Sequence, residues 1–131
     1  KPSVALIMLR TYHYGENWQN RYHDNMKTVV EYSLKQGVIP VLSTLPAIAG
    51  HLEMNDIIRQ LAAEYNVPLW DIYVTTHQLP FEGIDANAHL TVPPDGLTSF
   101  FMGVHMDYGM PRRNLEGLEI LYRLKKEVIK K

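Results

Sequence analysis

Apolar and polar positions alternate in blocks that predict a β-α-β-α-β-loop-α order. Ser3 to Leu9 is a short apolar run suited to a strand covered on both faces, as in a parallel sheet. A polar, aromatic loop, Arg10 to Gly15, follows. From Asn20 to Gln36 the apolar positions Tyr22, Met26, Val29, Val30 and Ser33/Leu34 fall at helical spacing, and Gly37 stands where a helix-ending glycine belongs. Val38 to Ser43 reads as a second strand, blemished by Pro40, which removes one ladder donor. After a loop at 46–50, Met54, Ile57, Ile58, Leu61, Ala62 and Tyr65 mark the cleanest helix in the chain. Asn66 is suited to end it in the left-handed conformation.

Val67 to Ile72 predicts a third strand, and Tyr73 to Leu79 a short helix. Phe81 to Met110 is long and irregular, the kind of segment that is usually functional or mobile. Pro111 to Lys131 predicts a last helix with Leu115, Leu118, Leu121, Tyr122 and Val128 on its apolar face. Strands alternating with helices imply right-handed crossovers and a parallel, three-layer α/β sandwich. Ligands in such folds bind beyond the carboxyl ends of the strands. Those ends are Arg10–Tyr14, Thr44–Ala49 and the region after Ile72.

With 131 residues the chain is expected to form a single domain, 1–131, with a core that needs no staples. The net charge of -1 provides no global field to gather nucleic acid or an anionic membrane. Apolar runs are too short to span a bilayer, and none reads as a signal peptide. The absence of Cys excludes a disulfide scaffold, a thiolate zinc site and a Cys nucleophile, without fixing the compartment. Charge is segregated: residues 71–107 carry five acids and no Lys or Arg, whereas residues 112–131 carry seven bases and three acids. Those bases alternate with Glu116, Glu119 and Glu127 as on a solvated helix, a pattern that disfavours a nucleic-acid face.

Two stretches carry a family resemblance. Asn25 to Pro46 and Asn55 to Tyr73 resemble the middle of an SGNH (GDSL-type) hydrolase: a helix ending in Gly leads into one strand, and a helix opening near Asn leads into a strand ending in Asp. The resemblance covers Ser3 to Tyr122 and implies a flavodoxin-like sheet, here incomplete, in the order 2-1-3-4-5. The strand at Ser3–Leu9 matches the family's third. The family's Gly-Asp-Ser nucleophile motif does not occur here. The resemblance therefore implies a C-terminal portion of such a domain, with the serine upstream of Lys1. The Ser3–Leu9 edge is then expected to be paired by that missing segment, another chain or a symmetry mate. Phe100–Met106 is the internal alternative, made a poor one by Gly103.

The resemblance also assigns roles. His89, in Gly83 to Thr91, takes the position of the family's catalytic base. Ala86 stands where its orienting Asp belongs, with Asp85 one residue too early. Asp85 is thus either the partner of His89 or a turn-capping Asp. Arg10 and Tyr12 occupy the positions of the oxyanion-hole Gly and Asn, where each donor is worth about 3 kcal/mol in the family's chemistry. Tyr12 and His13 either line a pocket or fill space. Tyr108 to Leu121 resembles the C-terminal helix of secreted members, which packs back on the sheet.

Outside the resemblance, His105, Asp107 and Asp95 offer a metal-ligand set whose spacing matches no strong signature. Asp71 ends a strand and is placed to orient a loop. His51 and His77 read as solvated, and Asn55 and Trp70 as structural. No cofactor is implied.

Three functions follow. One is a serine ester hydrolase acting on an acyl ester of a carbohydrate or lipid, with His89 as base and Asp85 holding its tautomer. This chain alone is expected to be inactive. Another is a non-catalytic SGNH-like binding or structural module. The third, a phosphate-binding α/β domain, lacks a Gly-rich cradle. An extracellular or cell-envelope setting is family habit only.

Overall fold

The computed structural model describes residues 3–47 and 52–129, apart from the side chain of Ile129. His51 and the 48–50 part of its loop lie outside the described residues. The chain forms two compact units, one of Lys1–Leu45 and Ala49–Asp71, the other of Pro46–Ile48 and Ile72–Lys131.

The first unit is a parallel α/β layer pair. Strands β1 (Val4–Ile7), β2 (Ile39–Ser43) and β3 (Leu69–Trp70) form a parallel sheet in that order. Helix α1 (Trp18–Lys35) connects β1 to β2, and α2 (Leu52–Glu64) connects β2 to β3. Two right-handed crossovers stepping the same way put both helices on one face. Accordingly α1 and α2 pack on each other and on β2. The three layers expected from the sequence are therefore two within this unit. Met26, Val30, Leu42, Met54, Ile58 and Leu61 make its core.

Local signals behave as their chemistry dictates. Gly37 and Asn66 both adopt positive φ (66° and 50°) just after α1 and α2. Pro40 sits inside the central strand without loss. β2 amides alternate between neighbours: Ile39 N–H donates to Ser3, while Leu42 and Thr44 donate to Pro68 and Trp70. The missing N–H of Pro40 thus faces the β3 side, before β3 has begun, where no ladder bond is due.

Three expectations need correction. β1 is not covered on both faces, since Leu6 is 41 % exposed. It is an outer strand, and among the described residues no strand pairs with its other edge. β3 is only two residues long. Pro68 has no N–H to extend it backwards, and Asp71 turns its carboxylate to Thr44 and Arg59, so that Ile72 already opens a helix.

The second unit holds α3 (Ile72–Thr76), a 3-10 turn at Pro80–Gly83, a second at Gly103–Asp107, and α4 (Gly109–Leu124) running into a π turn at Lys125–Ile129. The Phe100–Met106 segment adds no strand. The third correction concerns α4. Its buried positions are Gly109, Pro111, Gly117 and Leu124, whereas Leu118, Leu121, Tyr122 and Val128 are exposed. Apart from Leu124, the inward positions are Gly and Pro rather than large apolar residues. At Gly109 an added Cβ would collide with the Gly83 carbonyl oxygen. Thr91 ties this approach together: its N–H donates to Gly83 O (2.8 Å), and its Oγ1 accepts from Gly109 N–H (2.8 Å). No described helix is long and apolar enough to cross a membrane.

Candidate functional site

Sequence-predicted site residues fall in both units. In the first, the chain leaves the carboxyl end of β1 and is pinned at once: the Tyr22 hydroxyl donates to the Leu9 carbonyl at 2.7 Å. Burial, with the charge of Tyr14 adding to it, pushes the Tyr22 phenol well above its usual range, so it remains a donor. Beyond that pin, the Arg10 guanidinium lies 4.0 Å over the Tyr12 ring. The two residues at the oxyanion-hole positions are therefore engaged with each other, and Tyr12 is 67 % exposed. His13 diverges from them. With Thr11, Trp18, Arg21, Tyr22 and Asn25 it lines a cavity of about 350 Å³.

At the ends of β2 and β3 the polar residues serve structure. Asn55, fully buried, brackets Leu45: Leu45 N–H donates to Asn55 Oδ1 (2.7 Å), and Asn55 Nδ2 donates to the Leu45 carbonyl (3.0 Å). Asp71 accepts from Thr44 Oγ1 (2.9 Å) and from Arg59 Nε (2.9 Å) and Nη2 (3.1 Å). The hydrogen bond to Asp71 holds the Arg59 guanidinium above even its ordinary range. Asp71 thus orients the loop after β2. Arg59 escaped the sequence reading, because an Arg on a helix looks solvated until its carboxylate partner is placed.

In the second unit, Ile84 and Leu90 bridge antiparallel and close a small hairpin around 85–89. Asp85 Oδ1 accepts the N–H groups of Asn87 (2.8 Å) and His89 (2.9 Å), which is the turn-capping role. Its other oxygen, Oδ2, lies 3.8 Å from His89 Nδ1, near but outside hydrogen-bond range. The N–H of His89, with that of Asn87 adding to it, holds the Asp85 carboxyl below its ordinary range, so it is anionic at neutral pH. The structure therefore brings Asp85 and His89 together on one turn. His89 is 76 % exposed in its side chain.

A tighter pair lies further along: His105 Nε2 stands 2.7 Å from Asp95 Oδ2, with the Phe100 ring edge-on to the imidazole at 4.9 Å. Asp95 Oδ1 accepts the Leu97 N–H. Asp107, offered with them as a metal ligand, instead lines a separate cavity with Pro80, Phe81, Thr91, Val104 and Tyr108. Among the described residues no three acidic or His side chains gather into a metal-binding set. His77 is paired too, its Nδ1 2.8 Å from Glu82 Oε1.

No protein-family model, curated protein or solved structure matches this chain.

Proposed function

We propose that the chain is the C-terminal portion of an SGNH-type ester-hydrolase domain, with β1 to β3 as the last three strands of a flavodoxin-like sheet. In this reading a serine from outside these residues attacks an acyl ester of a carbohydrate or lipid, and His89 takes its proton. The observation that carries the reading is the Asp85–His89 turn. Asp85 is anionic and fixed by two amides, and its second oxygen faces Nδ1. Closing the 3.8 Å separation would set the tautomer that leaves Nε2 free to accept a proton. The open edge of β1 is where the family's first strand would add.

A second reading, a non-catalytic SGNH-like module, is favoured by the stacking of Arg10 on Tyr12, which occupies both oxyanion-hole positions. One experiment separates the two. The complete polypeptide that contains this chain is assayed for aryl acetate hydrolysis, with and without His89→Ala, and treated with a serine-directed fluorophosphonate. The hydrolase reading expects labelling of a serine outside residues 1–131 and a kcat loss of about 10³ or more in the variant. Absence of labelling, or turnover indifferent to His89, refutes it and leaves the module.

A further inference from the structure

The cavity after β1 has a chemistry that neither hydrolase role uses. Of its six lining residues none is acidic and each carries a hydrogen-bond donor, with Arg21, Asn25 and His13 supplying guanidinium, amide and imidazole nitrogens. Among the described residues, no carboxylate reaches the Arg21 guanidinium, and the side chains of His13 and Asn25 have no hydrogen-bond partner. All three residues are exposed. Of the nearby carboxylates, Asp24 pairs with His23 and Glu16 does not line the cavity.

Arg21 is an exposed residue whose guanidinium lies beside the loop after β1. Its Nη2 lies 3.5 Å from where a Cβ on Gly15 would stand, so the guanidinium rests over the loop backbone. Tyr22, the next residue of α1, forms the cavity's buried side and anchors the loop through Leu9. His13 N–H donates to Thr11 Oγ1 (3.1 Å), which shapes the opposing wall. Trp18 supplies a flat apolar wall, braced edge-on by Tyr14 with ring centroids 5.2 Å apart. A cation with a planar donor fork, two further donors and an indole face select a ligand with an oxyanion on a ring-sized body. The volume, about 350 Å³, suits one sugar-sized ring.

We propose that this cavity binds a small ring-bearing oxyanion, such as an acidic or phosphorylated monosaccharide. Arg21 meets the anion, Asn25 and His13 donate to it, and the ring lies against Trp18. The site needs no serine and no second unit, so it stands or falls apart from the ester-hydrolase reading.

The test is an amide-shift NMR titration of the 131-residue chain with D-glucuronate, glucose 6-phosphate and neutral glucose. Saturable shifts at residues 11–25 with either anion, at a Kd on the order of 1 mM, are expected. Which anion binds tells carboxylate from phosphate. Arg21→Gln, an exposed position that leaves the core untouched, weakens that Kd about tenfold, and about 0.3 M salt weakens it in the wild type. Trp18→Leu weakens it as well, while urea midpoints report that each variant is folded. Glucose binding as tightly as both anions, no saturable shift with either anion, or an unchanged Kd in folded Arg21→Gln overturns the proposal.

Discussion

His105 and Asp95 form the shortest imidazole–carboxylate contact among the described residues, 2.7 Å from Nε2 to Oδ2. The bond ties the 3-10 turn at Gly103–Asp107 to the segment ten residues before it. The Leu97 N–H, with His105 adding to it, holds the Asp95 carboxyl below its ordinary 3.8. Asp85 is lowered likewise by the amides of its hairpin.

A pH dependence follows from these two carboxylates. A carboxyl lowered in the folded state contributes stability that is complete above its unfolded value and is lost as pH falls through the folded value. The double variant Asp85→Asn, Asp95→Asn is therefore less stable than the wild type at pH 6, and the gap narrows as pH drops below about 4. Urea denaturation between these pH values measures it. A gap that stays constant, or widens on acidification, contradicts the assignment.

Gly109→Ala tests the backbone contact beneath α4. The new Cβ meets the Gly83 carbonyl, a group that cannot rotate aside, and Leu90 behind it. We expect a loss of about 3 kcal/mol, read from the urea midpoint. Met110→Ala, which adds no atom, serves as the control for helix propensity.

Ala88 carries a left-handed backbone, φ 61°, at the end of the 85–88 turn. A Cβ there costs about 1 kcal/mol relative to glycine. Ala88→Gly should thus stabilise the protein by about that amount, unusual for a glycine substitution. Calorimetry showing a lowered Tm would place the turn's conformation in error.

Asn55→Ala leaves both the N–H and the carbonyl of Leu45 without their side-chain partner in a buried place. The cost is about 3 kcal/mol. Asn55→Asp keeps the acceptor but replaces the donor with a buried charge, and should fare no better. Either variant matching the wild-type denaturation curve would show that the loop after β2 satisfies itself in another way.

The sequence made the first unit legible and the second largely not. In α1 and α2, large apolar residues recur at helical spacing and are the ones buried: Tyr22, Met26 and Val30, then Met54, Ile58 and Leu61. Periodicity works where burial is done by side-chain volume. In α4 it is done by Leu124 and by Gly109, Pro111 and Gly117, whose value lies in having little side chain, so Leu118, Leu121 and Tyr122 mark the wrong face. The irregular stretch 81–110 is organised by Asx turns and by Thr91, and such local bonds leave no period to read. Among the candidate residues, His13 and the Asp85–His89 turn were visible in the sequence, whereas Arg21 and Asn25 were hidden as polar positions on an amphipathic helix.

Pro40 has a consequence for how the sheet assembles. The smallest slip of β3 along β2 that keeps each side chain on its own face is two residues. Slipping so that Pro68 moves from Leu42 to position 40 would set its carbonyl against a ring nitrogen that carries no hydrogen. Slipping the other way would carry the strand beyond Ser43, past the end of β2. A two-residue strand has little to hold its alignment, yet the proline forbids one misregistered pairing and the strand's end curtails the other. The chain is thereby steered toward a single registry while β3 is still searching for its place.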